Sequence, residues 1–234
     1  LTMNNITIIP IKNLPEFSPK YDLPDELLKG FENNNIALED NDVIVVTQKI
    51  VSKAENRLVE NDFQNIEELI EKESLEILRK RGDTIIARTK HGFICANAGI
   101  DKSNIKKGSV LLLPEDPDKT SKDIQKKIEY NTNKKVSVII SDTFGRAWRK
   151  GQTNVAIGSS GIEPLESYIG EKDAFDNELF ATEIAIIDEL AGAAELVMKK
   201  SENIPVAIIR GVDYKSSDLG VGELIRKEDE DFFL

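Results

Sequence analysis

The sequence predicts an α+β fold of mixed, largely antiparallel sheets with helices, divided into two lobes. Three observations carry this. The 234 residues fit one large domain or two small lobes. Strand-like and helix-like segments mix without strict βαβ alternation, which argues against a doubly wound parallel sheet. The run Thr84–Ala96 reads as an antiparallel hairpin.

The elements follow in order. Thr7–Pro10 is a short first strand. Pro24 stands in the first turn of a helix over Asp25–Phe31. DVIVVT, Asp42–Thr47, is a buried strand, and QKIVSKAEN after it becomes a helix or a loop. Ile66, Leu69, Ile70, Ile77 and Leu78 recur at near-helical spacing and predict a helix over residues 65–80. Thr84–Arg88 and Gly92–Ala96 pair around Lys90–His91–Gly92. Ser109–Leu113 is a strand closed by Pro114. TSKDIQKKIEY opens on a capping-box pattern, Thr120 and Asp123, which starts a helix there. Val136–Ser141 and Gln152–Gly158 are strands. Asn177–Lys199 contains the longest helix, centred on Ala185–Val197. Ile204–Arg210 is a late strand, and a short helix over Asp218–Ile225 precedes an acidic tail.

Composition narrows the function. A chain of this length buries about 70–75% of its unfolded surface and needs no covalent staples. The single cysteine, Cys95, cannot form an internal disulfide, which favours the reducing cytoplasm. One cysteine and one histidine, His91, exclude the usual zinc sites. Any metal must be held by oxygen, as magnesium, manganese or calcium are. Charged residues make up 31% and the net charge is -11, so no nucleic-acid partner is expected. The first residues lack a basic and then apolar leader, and no apolar run reaches the ~20 residues of a membrane span.

There is no Walker GxxxxGK[ST], GxGxxG or GxSxG pattern. The richest stretch is SDTFGRAWRKG, Ser141–Gly151. Asp142 lies just past an apolar strand, where ligands bind in open α/β sheets. Asp142 and Thr143 offer hard oxygen donors. Arg146, Arg149 and Lys150 follow, and guanidinium forks grip phosphate or carboxylate. An acid that holds metal beside cations that hold a polyanion is one reading. A turn capped by Asp142, with solvated cations, is the other. CANAGIDKSN supplies Gly99, Asp101 and Asn104, a ligand loop or an Asx-turn. Thr47, Gln48 and Lys53 follow a buried strand, and IKNLPEF, Ile11–Phe17, fits an ordinary turn. Trp148 is a stacking candidate or a core residue.

VVTQKIVSKAE, HGFICANAGIDKSN, LLLPEDPD, SDTFGRAWRKGQTNVAIGSSGIEPL, GEKDAFDNEL, TEIAIIDELAGAAELVM and IPVAIIRG, in this order over about residues 6–211, resemble the coenzyme F420-0:γ-glutamyl ligase family. The resemblance implies one ligase-like domain over residues 1–234, an α+β fold of interleaved lobes, and a homodimer. It implies addition of L-glutamate to a deazaflavin with a phospholactate tail, with GTP as co-substrate and two divalent ions, magnesium or manganese. On this resemblance Asp101 and Asp142 match metal-binding acids and Thr143 a ligand of the second ion. Lys12, Asn13, Leu14, Pro15, Thr47, Gln48, Lys53 and Asn104 match positions lining the nucleotide. Met198, Lys199 and Lys200 match a further nucleotide-side loop. Some relatives carry a glycine and an acidic metal ligand after the methionine, where this chain has Lys199 and Lys200. Glu202 is then the acid that replaces that ligand.

The chemistry expected from the resemblance is an acyl-phosphate route, with Arg146 and Arg149 as an anion clamp. The partners expected are small molecules, without nucleic acid or membrane. The rival readings are a nucleotide- or deazaflavin-binding paralogue without catalysis, and a ligase for another acceptor.

Overall fold

The computed structural model describes residues 5–60, 66–103 and 105–232. Its centre is the run Asp42–Thr47, whose first five residues are all buried. Valine and isoleucine on both faces suit a strand covered on both sides, and the chain provides that cover.

In chain order the elements are β1 (Thr7–Ile11), α1 (Leu23–Asn33), β2 (Asp42–Thr47), α2 (Gln48–Ala54), β3 (Leu58–Glu60), α3 (Ile66–Glu73), β4 (Ser74–Arg81), β5 (Thr84–Thr89), β6 (Ile94–Ala96), β7 (Ser109–Leu111), α4 (Pro117–Thr132), β8 (Val136–Arg146), β9 (Arg149–Ser160), β10 (Glu166–Ser167), β11 (Glu183–Ile184), α5 (Ile186–Met198) and β12 (Val206–Arg210). The main sheet has the order β1-β12-β2-β8-β9. Only β2 and β8 pair in parallel; the other neighbours are antiparallel. The class is therefore α+β with a mixed sheet, as expected. Three smaller antiparallel sheets, β3-β7, β4-β5-β6 and β10-β11, lie outside it.

Helix α5 crosses the main sheet, touching β9, β8, β2, β12 and β1, while α4 packs on β8, β9 and α1. Edge strand β9 would expose unpaired N–H groups. Carboxylates cover them: Ala156 N donates to Asp188 Oδ1 at 2.8 Å and Ser159 N to Asp118 Oδ1 at 2.8 Å. A second, smaller apolar cluster of Ile70, Ile85, Ala87 and Ala98 joins α3 to β5. Arg57 ties this region to the rest, donating to Leu113 O at 2.9 Å and to Glu73 Oε2 at 2.7 Å. Among the described residues no helix is long and apolar enough to cross a membrane.

Four expectations are corrected. The helix read over residues 65–80 stops at Glu73. Ser74 Oγ donates to Ile70 O at 2.6 Å at its end, and β4 then pairs with β5, so sheet pairing overrides the helical spacing. The helix placed at Thr120 starts at Pro117. Asp116 is its N-cap, accepting from Lys119 N, and proline fills the first turn. At 16 residues it, and not α5 with 13, is the longest described helix. Asn177–Ala185 is not helical, since Glu183–Ile184 pairs with Glu166–Ser167.

Candidate active site

Register decides what meets what. Thr47 at the end of β2 stands opposite Ser141 of β8. Strand β12 begins at Val206 beside Val46, and β1 ends at Ile11 beside Val206. One end of the sheet thus gathers the segment leaving β1, the start of α2, the middle of β8 and the segment entering β12. These carry Lys12–Pro15, Thr47–Gln48, Asp142–Thr143 and Met198–Glu202. Residues far apart in sequence meet because three strand ends coincide.

The Lys12–Pro15 segment is clamped by Asn34, which accepts from Lys12 N at 3.1 Å and donates to Lys12 O at 2.9 Å. Asn13 sits at φ 60, in the left-handed region that asparagine tolerates. Leu14 lies so close to α1 that a Cβ on Gly30 would fall 2.5 Å from its Cδ2. Gln48 is buried and its Oε1 accepts from Ser52 Oγ at 2.8 Å, one turn along α2. Lys53 pairs with Glu16, joining α2 to the residue that follows the Lys12–Pro15 segment. Asn104 lies outside the described residues.

Asp142 does not follow the strand, as the sequence suggests, but lies inside it. β8 runs on to Arg146 because β9 continues the pairing, with Asp142 opposite Val155 and Thr143 opposite Asn154. Successive side chains of a strand point to opposite faces, so neighbouring Asp142 and Thr143 serve two different polar clusters.

The first cluster surrounds Asp142. Asp101 comes from the segment that bridges back to Leu111. Lys49 Nζ reaches Asp101 Oδ2 at 2.5 Å, and Asp101 Oδ1 accepts from Ser103 N at 2.7 Å and Ser103 Oγ at 2.8 Å. These partners outweigh burial and hold the Asp101 carboxyl below its usual range. Asp142 goes the other way. Burial, helped by the Asp101 charge, pushes its carboxyl up to about 7, against the pull of the Thr143 N–H, Lys49 and Lys200. Cys95 of β6 is pushed up to about 12, by burial first and by the Asp142 charge second. It is a buried thiol, not a nucleophile.

The second cluster lies on the Thr143 side. Thr143 Oγ1 donates to Asn154 Oδ1 at 2.7 Å, and Asn154 Nδ2 donates to Glu195 Oε2 at 3.0 Å. Lys200 Nζ donates to Thr143 Oγ1 at 2.7 Å and to Asn154 Oδ1 at 3.2 Å, and pairs with Glu195 Oε1 at 3.0 Å. Lys199, at φ 51, makes the turn that delivers Lys200 after buried Met198. Among the described residues no group of three or more His, Cys, Asp or Glu side chains is placed to hold a metal ion.

The model for the F420-0:γ-glutamyl ligase family matches residues 12–211. The chain belongs to this family. Among its relatives is a coenzyme F420:L-glutamate ligase of Methanocaldococcus jannaschii, 40% identical over an alignment of 232 residues that covers 88% of this chain and 93% of the relative. A protein of the same name from Methanococcus maripaludis strain C6 is 43% identical with the same coverage.

In this F420-0:γ-glutamyl ligase family member, the cations of the motif stand apart from its acid. Arg146 and Arg149 pair across the tip of the β8–β9 hairpin, and Trp148, at φ 57, makes the turn with 79% of its surface exposed. At about 3.3 Å per residue, the four steps from Asp142 to Arg146 span roughly 13 Å. Arg146 Nη2 donates to Lys150 O at 2.9 Å. The Arg146 guanidinium is thus engaged at the hairpin tip. Lys49, Asn154 and Glu195 were not legible as site residues. Asn154 is reached only through the hairpin register, Glu195 only through the packing of α5, and Lys49 sits unmarked between Gln48 and Lys53.

Proposed function

We propose that this protein is a ligase that joins L-glutamate to coenzyme F420-0 by an amide bond, and then adds γ-linked glutamate, using GTP. The observation that carries the reading is the convergence of four family segments at one end of the main sheet. The relatives' shared name, coenzyme F420:L-glutamate ligase, supports the substrates.

A free carboxylate does not form an amide readily, because oxide is a poor leaving group. In the proposed route a lactyl carboxylate oxygen attacks the γ-phosphorus of GTP and GDP leaves. The glutamate amine then attacks the acyl carbon and phosphate leaves. Such transfers need positioning and charge neutralisation above all. The Lys12–Pro15 segment, Thr47, Lys53, Asn104 and the Met198–Lys200 segment would line the nucleotide. Arg146 and Arg149 would hold the carboxylates or phosphate at the far end of the acceptor.

Magnesium or manganese fits the Asp142 side: two neighbouring carboxylates, one raised to about 7 by burial and its neighbour's charge, ask for a cation. Asp101 and Asp142 would hold it, with water and phosphate oxygens filling the shell, and it would supply charge neutralisation on the phosphates. We also propose one domain of two interleaved lobes, a homodimer and a cytoplasmic setting.

A second reading, a nucleotide-binding paralogue without catalysis, draws on Lys200, whose ammonium fills the Thr143 side where a second ion and Glu202 were expected. Incubation with F420-0, L-glutamate, GTP and manganese, followed by mass spectrometry, decides between them. The ligase yields GTP-dependent glutamyl adducts and GDP, and Arg146→Ala cuts turnover at least tenfold at saturating GTP. GTP binding without adducts sinks the ligase reading for this acceptor. Adducts on a competing acid would transfer it to another acceptor.

A further inference from the structure

Three elements each send one oxygen donor to the Lys200 ammonium: Thr143 Oγ1 from β8 at 2.7 Å, Asn154 Oδ1 from β9 at 3.2 Å and Glu195 Oε1 from α5 at 3.0 Å. The donors are also ordered among themselves. The Thr143 hydroxyl gives its proton to Asn154 Oδ1, and the Asn154 amide gives one to Glu195 Oε2. That directs the hydroxyl lone pairs, the amide oxygen and a carboxylate oxygen to one point. A neutral hydroxyl, a neutral amide oxygen and one carboxylate make a hard-oxygen nest for a cation.

The nest is rigid where it can be. Thr143 and Asn154 are opposite partners in the β8–β9 ladder, and Asn154 is buried at 4% exposure. The cation is the movable part. The Lys200 side chain is 62% exposed and enters from a segment beyond the C-terminal end of α5. A lysine ammonium is a compact point charge with three donors, and here three acceptors surround it.

We propose that the Lys200 ammonium is a tethered cation filling an oxygen nest of Thr143, Asn154 and Glu195, and that removing its charge turns the nest into a divalent-cation site. The native protein therefore holds a fixed single charge there, independent of metal supply. This does not depend on the ligase reading; that reading only adds a use for the charge, beside an anionic substrate.

The test counts bound Mn²⁺ per chain by the electron paramagnetic resonance signal of the free ion, with Mn²⁺ alone as the probe. It compares the unaltered protein, Lys200→Ala, and Lys200→Ala combined with Glu195→Gln. The expected result is one further ion per chain in Lys200→Ala and its loss again in the double variant. Lys200→Met, which keeps the apolar stem, serves if the alanine variant does not fold. Equal counts in all proteins overturn the proposal, as does a gain that survives Glu195→Gln. Failure of the Asp101–Asp142 pair to bind metal would lower every count alike and leave the difference readable.

Discussion

Asp142 carries the clearest pH signature at the level of single residues. Its carboxyl is raised from the ordinary 3.8 to about 7, with burial the first cause. For a raised folded value, the stabilisation is full below the unfolded pKa and is lost as pH rises through the folded one. Without metal, the protein should lose stability between about pH 4 and pH 7. Asp142→Asn removes that loss. Its melting midpoint at pH 8 should exceed the unaltered protein's by roughly 5–10 °C, the gap closing toward pH 4. Mn²⁺ should raise the midpoint of the unaltered protein and leave that of the variant in place. A flat difference across pH, read by calorimetry, would show that Asp142 is not the group responsible. Asp101 and Asp142 were visible as candidates because acids beside apolar or small-residue runs stand out. Their opposite electrostatics were not, since these depend on Lys49 and Ser103 against one carboxylate and on burial around the other.

Among the elements, the β8–β9 hairpin organises both polar clusters. It is held where β9 meets α4: a Cβ on Gly158 would lie 2.5 Å from both the backbone carbon and the Cβ of Pro117. Backbone cannot yield as a flexible side chain can. Gly158→Val should cost about 1–3 kcal/mol in denaturant unfolding, and an unchanged midpoint would show that α4 shifts freely. The hairpin's strands were legible as two apolar runs, but their ends were not. The Ser141–Gly158 stretch reads as strand, turn and strand because Gly145 and the cations resemble loop residues; pairing with β9 extends the strand regardless. The helix expected over residues 65–80 fails for a related reason. Ile77 keeps helical spacing with Ile70, yet it lies in β4, opposite Ala87 of β5.

On the scale of the whole molecule, β4 is an edge strand with apolar side chains facing out: Leu75 is 66% exposed and Ile77 40%. Under the proposed homodimer, sedimentation should report two chains per particle, and Leu75→Glu with Ile77→Glu should shift it toward one. A single chain at working concentration would end that proposal. What could be read from residues alone was the class, most strands and, through the order of its motifs, the family. Those follow from local periodicity and residue identity. What needed the tertiary fold was the meeting of Thr143 with Asn154, Glu195 and Lys200, and of Asp142 with Asp101 and Lys49. Sequence spacing does not encode which strand ends coincide or which face a strand residue takes. Sheet order and register do, and a slip of one residue would exchange the two clusters.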